Sequence, residues 1–115
     1  SNAMSYINNI EHAKVLDLTQ EVMIEQDQML SRTLVQRQDL GITVFSLDKG
    51  QEIGRHSSPG DAMVTILSGL AEITIDQETY RVAEGQTIVM PAGIPHALYA
   101  VEAFQMLLVV VKPEA

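Results

Sequence analysis

Two histidines are the residues of this chain best suited to chemistry. The sequence holds three histidines, and His56 and His96 both lie among strand and turn residues. Imidazole titrates near neutral pH and binds transition metals, so such a pair could transfer protons, hold a metal or orient a small molecule. His12 has no comparable setting and is interpreted as a surface residue. The chain has no cysteine, which excludes thiol nucleophiles, zinc-thiolate sites and disulfides.

The residues that follow His56 do not indicate a serine hydrolase. Ser57 and Ser58 come directly after it, but no nucleophile elbow and no orienting acid in register accompany them. In an extended segment, side chains two residues apart face the same side. His56 and Ser58 are therefore predicted to share one face of a strand.

Glycines, prolines and histidines recur at fixed spacings in two consecutive segments. The first contains Gly50, His56, Ser58, Ala62 and Gly69, separated by five, one, three and six residues. The second contains Gly85, Pro91, Gly93, His96 and Ala100, separated by five, one, two and three residues. The pattern resembles the two motifs of the cupin superfamily, G(X)5HXH(X)3,4E(X)6G and G(X)5PXG(X)2H(X)3N. The fifteen residues between the two segments resemble the short gap of small single-domain prokaryotic cupins of the cupin 2 conserved barrel type.

The resemblance implies an all-β fold, the double-stranded β-helix or jelly-roll-like cupin barrel. It also implies that the motif side chains face the barrel interior, where His56 and His96 would meet. Alternation along the strands adds Leu98 to the same wall. The predicted ligand pocket therefore consists of His56, Ser58, Ala62, His96, Leu98 and Ala100.

This sequence departs from the pattern at the positions that would hold a metal. In metal-binding cupins four interior positions are His, His, Glu and His, whereas here the second is Ser58 and the third is Ala62. His56 and His96 remain as candidate ligands for a divalent transition metal, and two imidazoles make a weak site. Asp61 could swing in as a third ligand, although strand parity points it the other way. No tightly bound cofactor is expected, and a divalent metal stays the alternative.

Short strands separated by turn residues make up most of the predicted elements. Ile42–Leu47 is β-branched and aromatic, and residues 71–75 alternate between apolar and polar side chains. Further strands are predicted at residues 62–67, 79–82, 87–90 and 104–111. A short strand is predicted at Val15–Leu18, and one helical turn could begin near Thr19. Residues 23–38 could form a helix or a strand, because apolar residues there recur at helical spacing while the following segments are strands. We favour a strand. We predict an antiparallel barrel of six to eight strands or slightly more.

Composition narrows the classes of partner. The formal net charge is −8 with no basic patch, which argues against nucleic-acid binding. The longest apolar run, Met106–Val111, is too short to span a bilayer, so no membrane contact is expected. Residues 1–3 resemble an expression-tag scar, and residues 4–115 are predicted to form one domain with a short N-terminal arm. The absence of cysteine and of a signal peptide favours the cytoplasm.

Three functions fit these observations. The favoured one is a small cupin that binds a small organic molecule in its pocket, as a sensor, carrier or storage protein. The second is a metal-dependent isomerase, lyase or dioxygenase that uses His56 and His96. The third is a structural or interaction protein with an incidental pocket. Strands that are apolar on both faces, such as residues 107–111, also predict a homodimer.

Overall fold

β-Branched and apolar segments form nearly all of the regular structure in the computed structural model, which describes residues 5–114. In chain order the elements are α1 (Leu18–Glu21), β1 (Met29–Gln36), β2 (Leu40–Leu47), β3 (Glu52–His56), β4 (Asp61–Ser68), β5 (Leu70–Ile75), β6 (Glu78–Ala83), β7 (Thr87–Met90), β8 (His96–Ala100) and β9 (Phe104–Val111). The predicted all-β architecture is confirmed. Within the described residues, no helix has the length and apolar character needed to cross a membrane.

The strands form two antiparallel sheets. One sheet has the order β1-β2-β9-β4-β7, and the other has the order β3-β8-β5-β6. The connection from β4 to β5 passes through Gly69, whose φ is +82°. A Cβ at this position would collide with the backbone of Ala103 and Phe104, so only glycine fits both the dihedral and the space. This close approach holds the β4–β5 connection against the start of β9.

Within the ambiguous segment 23–38, residues 29–36 form strand β1, as predicted, whereas residues 23–28 form no helix or strand. The helical spacing has a structural cause, because a β-bulge shifts the β1–β2 register between Thr33 and Val35. The extra residue breaks the ordinary alternation, and Leu34 and Val35 are both buried although they are adjacent.

The prediction of a strand at Val15–Leu18 is wrong. Val15 is 98% exposed and pairs with no neighbouring strand. Asp17 instead caps α1, since its carboxylate accepts the backbone N–H of Thr19 at 2.9 Å. This capping bond satisfies a free N–H at the start of a helical turn, which outweighs the β-propensity of a few apolar residues.

The apolar residues pack into two separate clusters, one inside the barrel and one outside it. The interior cluster includes Leu47, Val64, Ile66, Ile73, Phe104 and Met106. The outer cluster lies where the N-terminal arm, the segment that precedes β1, crosses the five-stranded sheet. It includes Ile10, Leu18, Val22, Leu34, Val44 and Leu107. Part of the outward-facing apolar surface is therefore covered by the chain's own arm.

Gln105 attaches this arm to the sheet through a buried polar network. Its side chain is 5% exposed, and its amide nitrogen donates to the carbonyls of Thr19 at 2.7 Å and Val22 at 2.9 Å. Its amide oxygen accepts from the hydroxyl of Ser68 at 2.7 Å. One side chain thus satisfies three polar groups that have little access to water.

Substituting leucine for this glutamine should destabilise the fold strongly. Gln105→Leu leaves two carbonyls and a hydroxyl without partners, so the free energy of unfolding should fall by about 2–3 kcal/mol in urea denaturation. The matched control Gln20→Leu changes an exposed glutamine and should stay within about 0.5 kcal/mol of the wild type. Equal effects of the two substitutions would show that the network contributes nothing.

Candidate functional site

Strands β3 and β8 bring the two histidines together. β3 ends at His56 and β8 begins at His96, and these residues are directly paired across the antiparallel ladder. Their ring centroids are 4.5 Å apart, and the ring planes meet at 70° in an edge-to-face arrangement. The structure therefore places side by side the two residues that the motif spacing singled out.

Hydrogen bonds to the backbone define the tautomer of both rings. Nδ1 of His56 lies 2.8 Å from the carbonyl oxygen of Gly54, and Nδ1 of His96 lies 3.2 Å from that of Ile94. A carbonyl can only accept, so each Nδ1 carries the hydrogen and donates it. In the neutral ring the lone pair is then on Nε2, the nitrogen available to a proton, a metal or a donor on a ligand.

The two histidines differ in their access to water. His56 is exposed at the barrel mouth, whereas His96 is only 2% exposed. Among residues 5–114, every fully enclosed side-chain nitrogen or oxygen atom has a hydrogen-bond partner. Nε2 of His96 has no hydrogen-bond partner among these residues, and His96 borders a cavity inside the barrel.

Burial keeps His96 neutral. Desolvation lowers the pKa of His96 below the ordinary value of 6.5; the hydrogen bond to the Ile94 carbonyl raises it less, and the nearby His56 lowers it slightly further. The charged form is disfavoured because the low-polarity surroundings cannot replace its hydration. At pH 7 the Nε2 lone pair of His96 is therefore available.

A cavity of about 160 Å³ opens beside the two rings, inside the barrel. Its polar lining consists of His56, Ser58 and His96. The remaining wall is apolar and comprises Met29, Phe45, Ile53, Ala62, Met90, Leu98, Met106, Leu108 and Val110. Polar groups are thus confined to one region of an otherwise apolar cavity, the arrangement typical of small-molecule sites.

Five of the six residues predicted to line a pocket lie on this cavity, and Ala100 does not. Ala100 is fully buried in the interior cluster, opposite Ala71 of β5. Two residues of strand advance the chain by about 6.6 Å, which carries Ala100 past the cavity that His96 and Leu98 border.

Sequence reasoning missed much of the apolar wall because it came from strands outside the motifs. Met106, Leu108 and Val110 alternate along β9, so parity within that strand would have identified them as a set. Met63 on β4 faces outward and is 40% exposed, so it does not contribute to this wall.

The donor set does not fit a tightly held metal. Within residues 5–114, no group of three His, Cys, Asp or Glu side chains is arranged to hold a metal ion. Asp61 does not supply a third ligand, because it is exposed while the next residue, Ala62, faces the interior. Its carboxylate accepts the backbone N–H of Ala92 at 2.8 Å. Zinc sites in proteins generally have three or four protein ligands, and this one offers two imidazoles.

A groove of about 310 Å³, here called the vestibule, adjoins the cavity through His56, Ser58 and Val110, which border both. Thr33, Thr43 and Lys112 also line it. A separate groove of about 450 Å³ crosses the outer face of the four-stranded sheet beside Tyr99. That groove is open, and two carboxylates line it, Glu52 and Glu72, of which Glu72 is paired with Arg81 at 3.5 Å.

The sequence matches the family described as Cupin domain over residues 43–112, and this chain belongs to that family. A crystal structure of a cupin superfamily protein from Desulfitobacterium hafniense superposes with a TM-score of 0.90 at 26% identity. That comparison covers 95% of this chain and all of the other. The fold and the motif resemblance are therefore confirmed together.

Two further relatives are similar over much of the chain. A cupin 2 conserved barrel domain protein from Leptotrichia buccalis is 37% identical with a TM-score of 0.82; the match covers 84% of this chain and 47% of that protein. An uncharacterised protein of Streptomyces coelicolor is 28% identical over 79 residues, 69% of this chain and 75% of the relative. These relatives support the barrel and leave its ligand open.

The lowered pKa of His96 predicts a specific pH dependence of stability. His96 takes up a proton near pH 6.5 in the unfolded chain but only at a lower pH in the folded protein. Its neutral form therefore contributes fully to the free energy of unfolding above pH 6.5. This contribution is lost as the pH falls through the lower pKa of the folded state. Between about pH 7 and pH 5.5, the free energy of unfolding should fall more in the wild type than in His96→Leu, as measured by urea denaturation.

His12→Leu is the matched control for this measurement, because His12 is exposed. Because it keeps His96, its loss of stability between about pH 7 and pH 5.5 should exceed that of His96→Leu. An unchanged pH dependence in His96→Leu would mean that folding does not perturb His96.

Proposed function

We propose that this cupin binds a small organic molecule inside the barrel and does so without a tightly held metal, as a sensor, carrier or storage protein. The observation that carries the proposal is the apolar cavity with two imidazoles and one hydroxyl gathered in its wall. A cavity meant only to be filled by the core would have no reason to retain polar groups there, since burying them is costly.

The size of the cavity indicates the size of the molecule. An apolar cavity of about 150 Å³ accommodates benzene, and the volume here is about 160 Å³. Met29, Met90 and Met106 line the wall, and flexible thioether side chains adapt to ligands of irregular shape. These features favour a compact occupant with a body of about six heavy atoms.

Catalysis is the second candidate, and the neutral His96 favours it. An imidazole with a free Nε2 lone pair could act as a general base on a bound molecule. Apart from His56, His96 and Ser58, however, all residues that line the cavity are apolar. No further acid or base borders the described cavity to complete a reaction cycle, so binding ranks first.

Methionine methyl groups offer a direct test of occupancy. In protein labelled with ¹³C at the methionine methyls, toluene should shift the signals of Met29, Met90 and Met106, which border the cavity. Met23 and Met63 are 54% and 40% exposed and do not border it, so their signals should stay in place.

A filled cavity should lose this response. Ala62→Leu places additional carbons in the cavity wall, and toluene should then leave all methionine signals unchanged. Ala92→Leu is the matched control in an exposed loop and should respond like the wild type. Uniform or absent shifts in the wild type would contradict binding in the barrel.

The metal content provides a separate test. The purified protein should carry clearly less than one equivalent of any transition metal after brief chelation, as measured by inductively coupled plasma mass spectrometry. Ser58→His combined with Ala62→Glu should raise nickel or zinc affinity by orders of magnitude, because both positions border the cavity beside the imidazoles. Stoichiometric metal in the wild type would contradict metal-free binding and would favour the metal-dependent enzyme instead.

We also propose that the protein is a homodimer, through an outer row formed by Val109, Met63 and Val89. These residues are paired across the adjacent strands β9, β4 and β7. Met63 is 40% exposed and Val89 is 48% exposed, so the arm leaves this part of the sheet uncovered. Two copies with a net charge of −8 can approach most easily through an uncharged apolar face.

Light scattering coupled to size-exclusion chromatography measures this directly. The wild type should have the mass of a dimer at micromolar concentration, and Met63→Lys with Val89→Lys should have the mass of a monomer. The control Tyr99→Lys changes a residue that is 42% exposed on the other sheet and should remain dimeric. A monomeric wild type refutes the proposal.

A further inference from the structure

We propose that the occupant of the barrel carries a hydroxyl group on its compact apolar body, as a phenol or a small alcohol does, and that the two histidines and Ser58 recognise this group. The inference rests on the proposed function and names the class of ligand. It follows from which hydrogen-bonding capacities remain unused around the cavity.

The imidazoles present acceptors and not donors. The Nδ1–H of each ring is already bonded to a backbone carbonyl, that of Gly54 or that of Ile94. The unused atom of each ring is Nε2, which carries a lone pair. Because burial lowers the pKa of His96, this ring stays an acceptor at neutral pH. A ligand that pairs with it must donate a hydrogen.

Ser58 supplies the complementary donor. Its Oγ accepts the backbone N–H of Gly60 at 3.2 Å, and this bond leaves the hydroxyl hydrogen unused. Ser58 borders the cavity together with both histidines. A ligand group that pairs with all three residues must therefore donate to the imidazole lone pairs and accept from one hydroxyl. A hydroxyl can donate and accept at the same time, which matches this set.

Other polar groups match less well. A carboxylate has only lone pairs to offer, so it could accept from the Ser58 hydroxyl but could not donate to either Nε2. The chain also carries a net charge of −8, which opposes an anion. A ligand without any polar group would leave the imidazoles and the hydroxyl unpaired in a water-poor site, which costs binding energy.

The experiment compares three probes of similar shape at pH 7.5 by titration of the methionine methyl signals: phenol, toluene and benzoate. The expected order of affinity in the wild type is phenol at least equal to toluene, with benzoate much weaker. In His96→Leu, the affinity for phenol should fall about tenfold, the loss expected for one desolvated hydrogen bond, while that for toluene stays within about twofold.

Two variants keep the test decisive. Ser58→Ala should weaken phenol about threefold, the value of a modest hydrogen bond, without weakening toluene. Ile53→Val changes only the apolar wall and should alter both affinities by the same factor. The Ser58→Ala result stands even where His96→Leu does not fold.

The outcomes distinguish a failure of the hydroxyl assignment from a failure of the proposed small-molecule binding. If none of the three probes shifts the cavity methionines, binding in the barrel itself fails. If toluene binds and the His96→Leu and Ser58→Ala variants treat phenol and toluene alike, binding stands and the hydroxyl class is wrong. Tightest binding of benzoate would also overturn the inference and would indicate an anionic ligand paired with Lys112 of the vestibule.

Discussion

The pairing of β3 with β8 is the interaction on which the site depends. It places His56 opposite His96, so that two rings from segments far apart in sequence lie 4.5 Å from each other. Each ring donates its Nδ1 hydrogen to a carbonyl two residues earlier in the chain. The backbone at the two strand ends therefore orients both imidazoles, and it also determines which nitrogen remains free.

The two departures from the metal-binding pattern have a common effect. Ser58 and Ala62 stand where larger ligating side chains would be, and both border the cavity. Their small size removes potential ligands and at the same time leaves space beside the rings. The same two small side chains thus weaken a metal site and leave space in the cavity beside the imidazoles.

The motif spacings predicted more of this molecule than its composition did. The glycine and histidine positions predicted the barrel and the meeting of His56 with His96, because strand pairing follows from turn positions and alternation. The apolar wall from Met106 and Val110 was not predicted, since β9 lies outside the motifs and approaches the cavity only through tertiary pairing. The strand expected at Val15 failed because the cap at Asp17 dominated the local conformation.

The central claim is that Nδ1 of each imidazole carries the hydrogen that is donated to the carbonyl of Gly54 or Ile94, so that Nε2 is the atom left for a ligand. Two-bond ¹H–¹⁵N correlation spectra of ¹⁵N-labelled protein at pH 7.5 measure this, because protonated and unprotonated ring nitrogens have well-separated shifts. We predict that Nδ1 carries a hydrogen in both rings and that Nε2 of His96 lies in the unprotonated range. A spectrum that shows Nε2–H in both rings would contradict the hydrogen bonds to Gly54 and Ile94 and the recognition that follows from them.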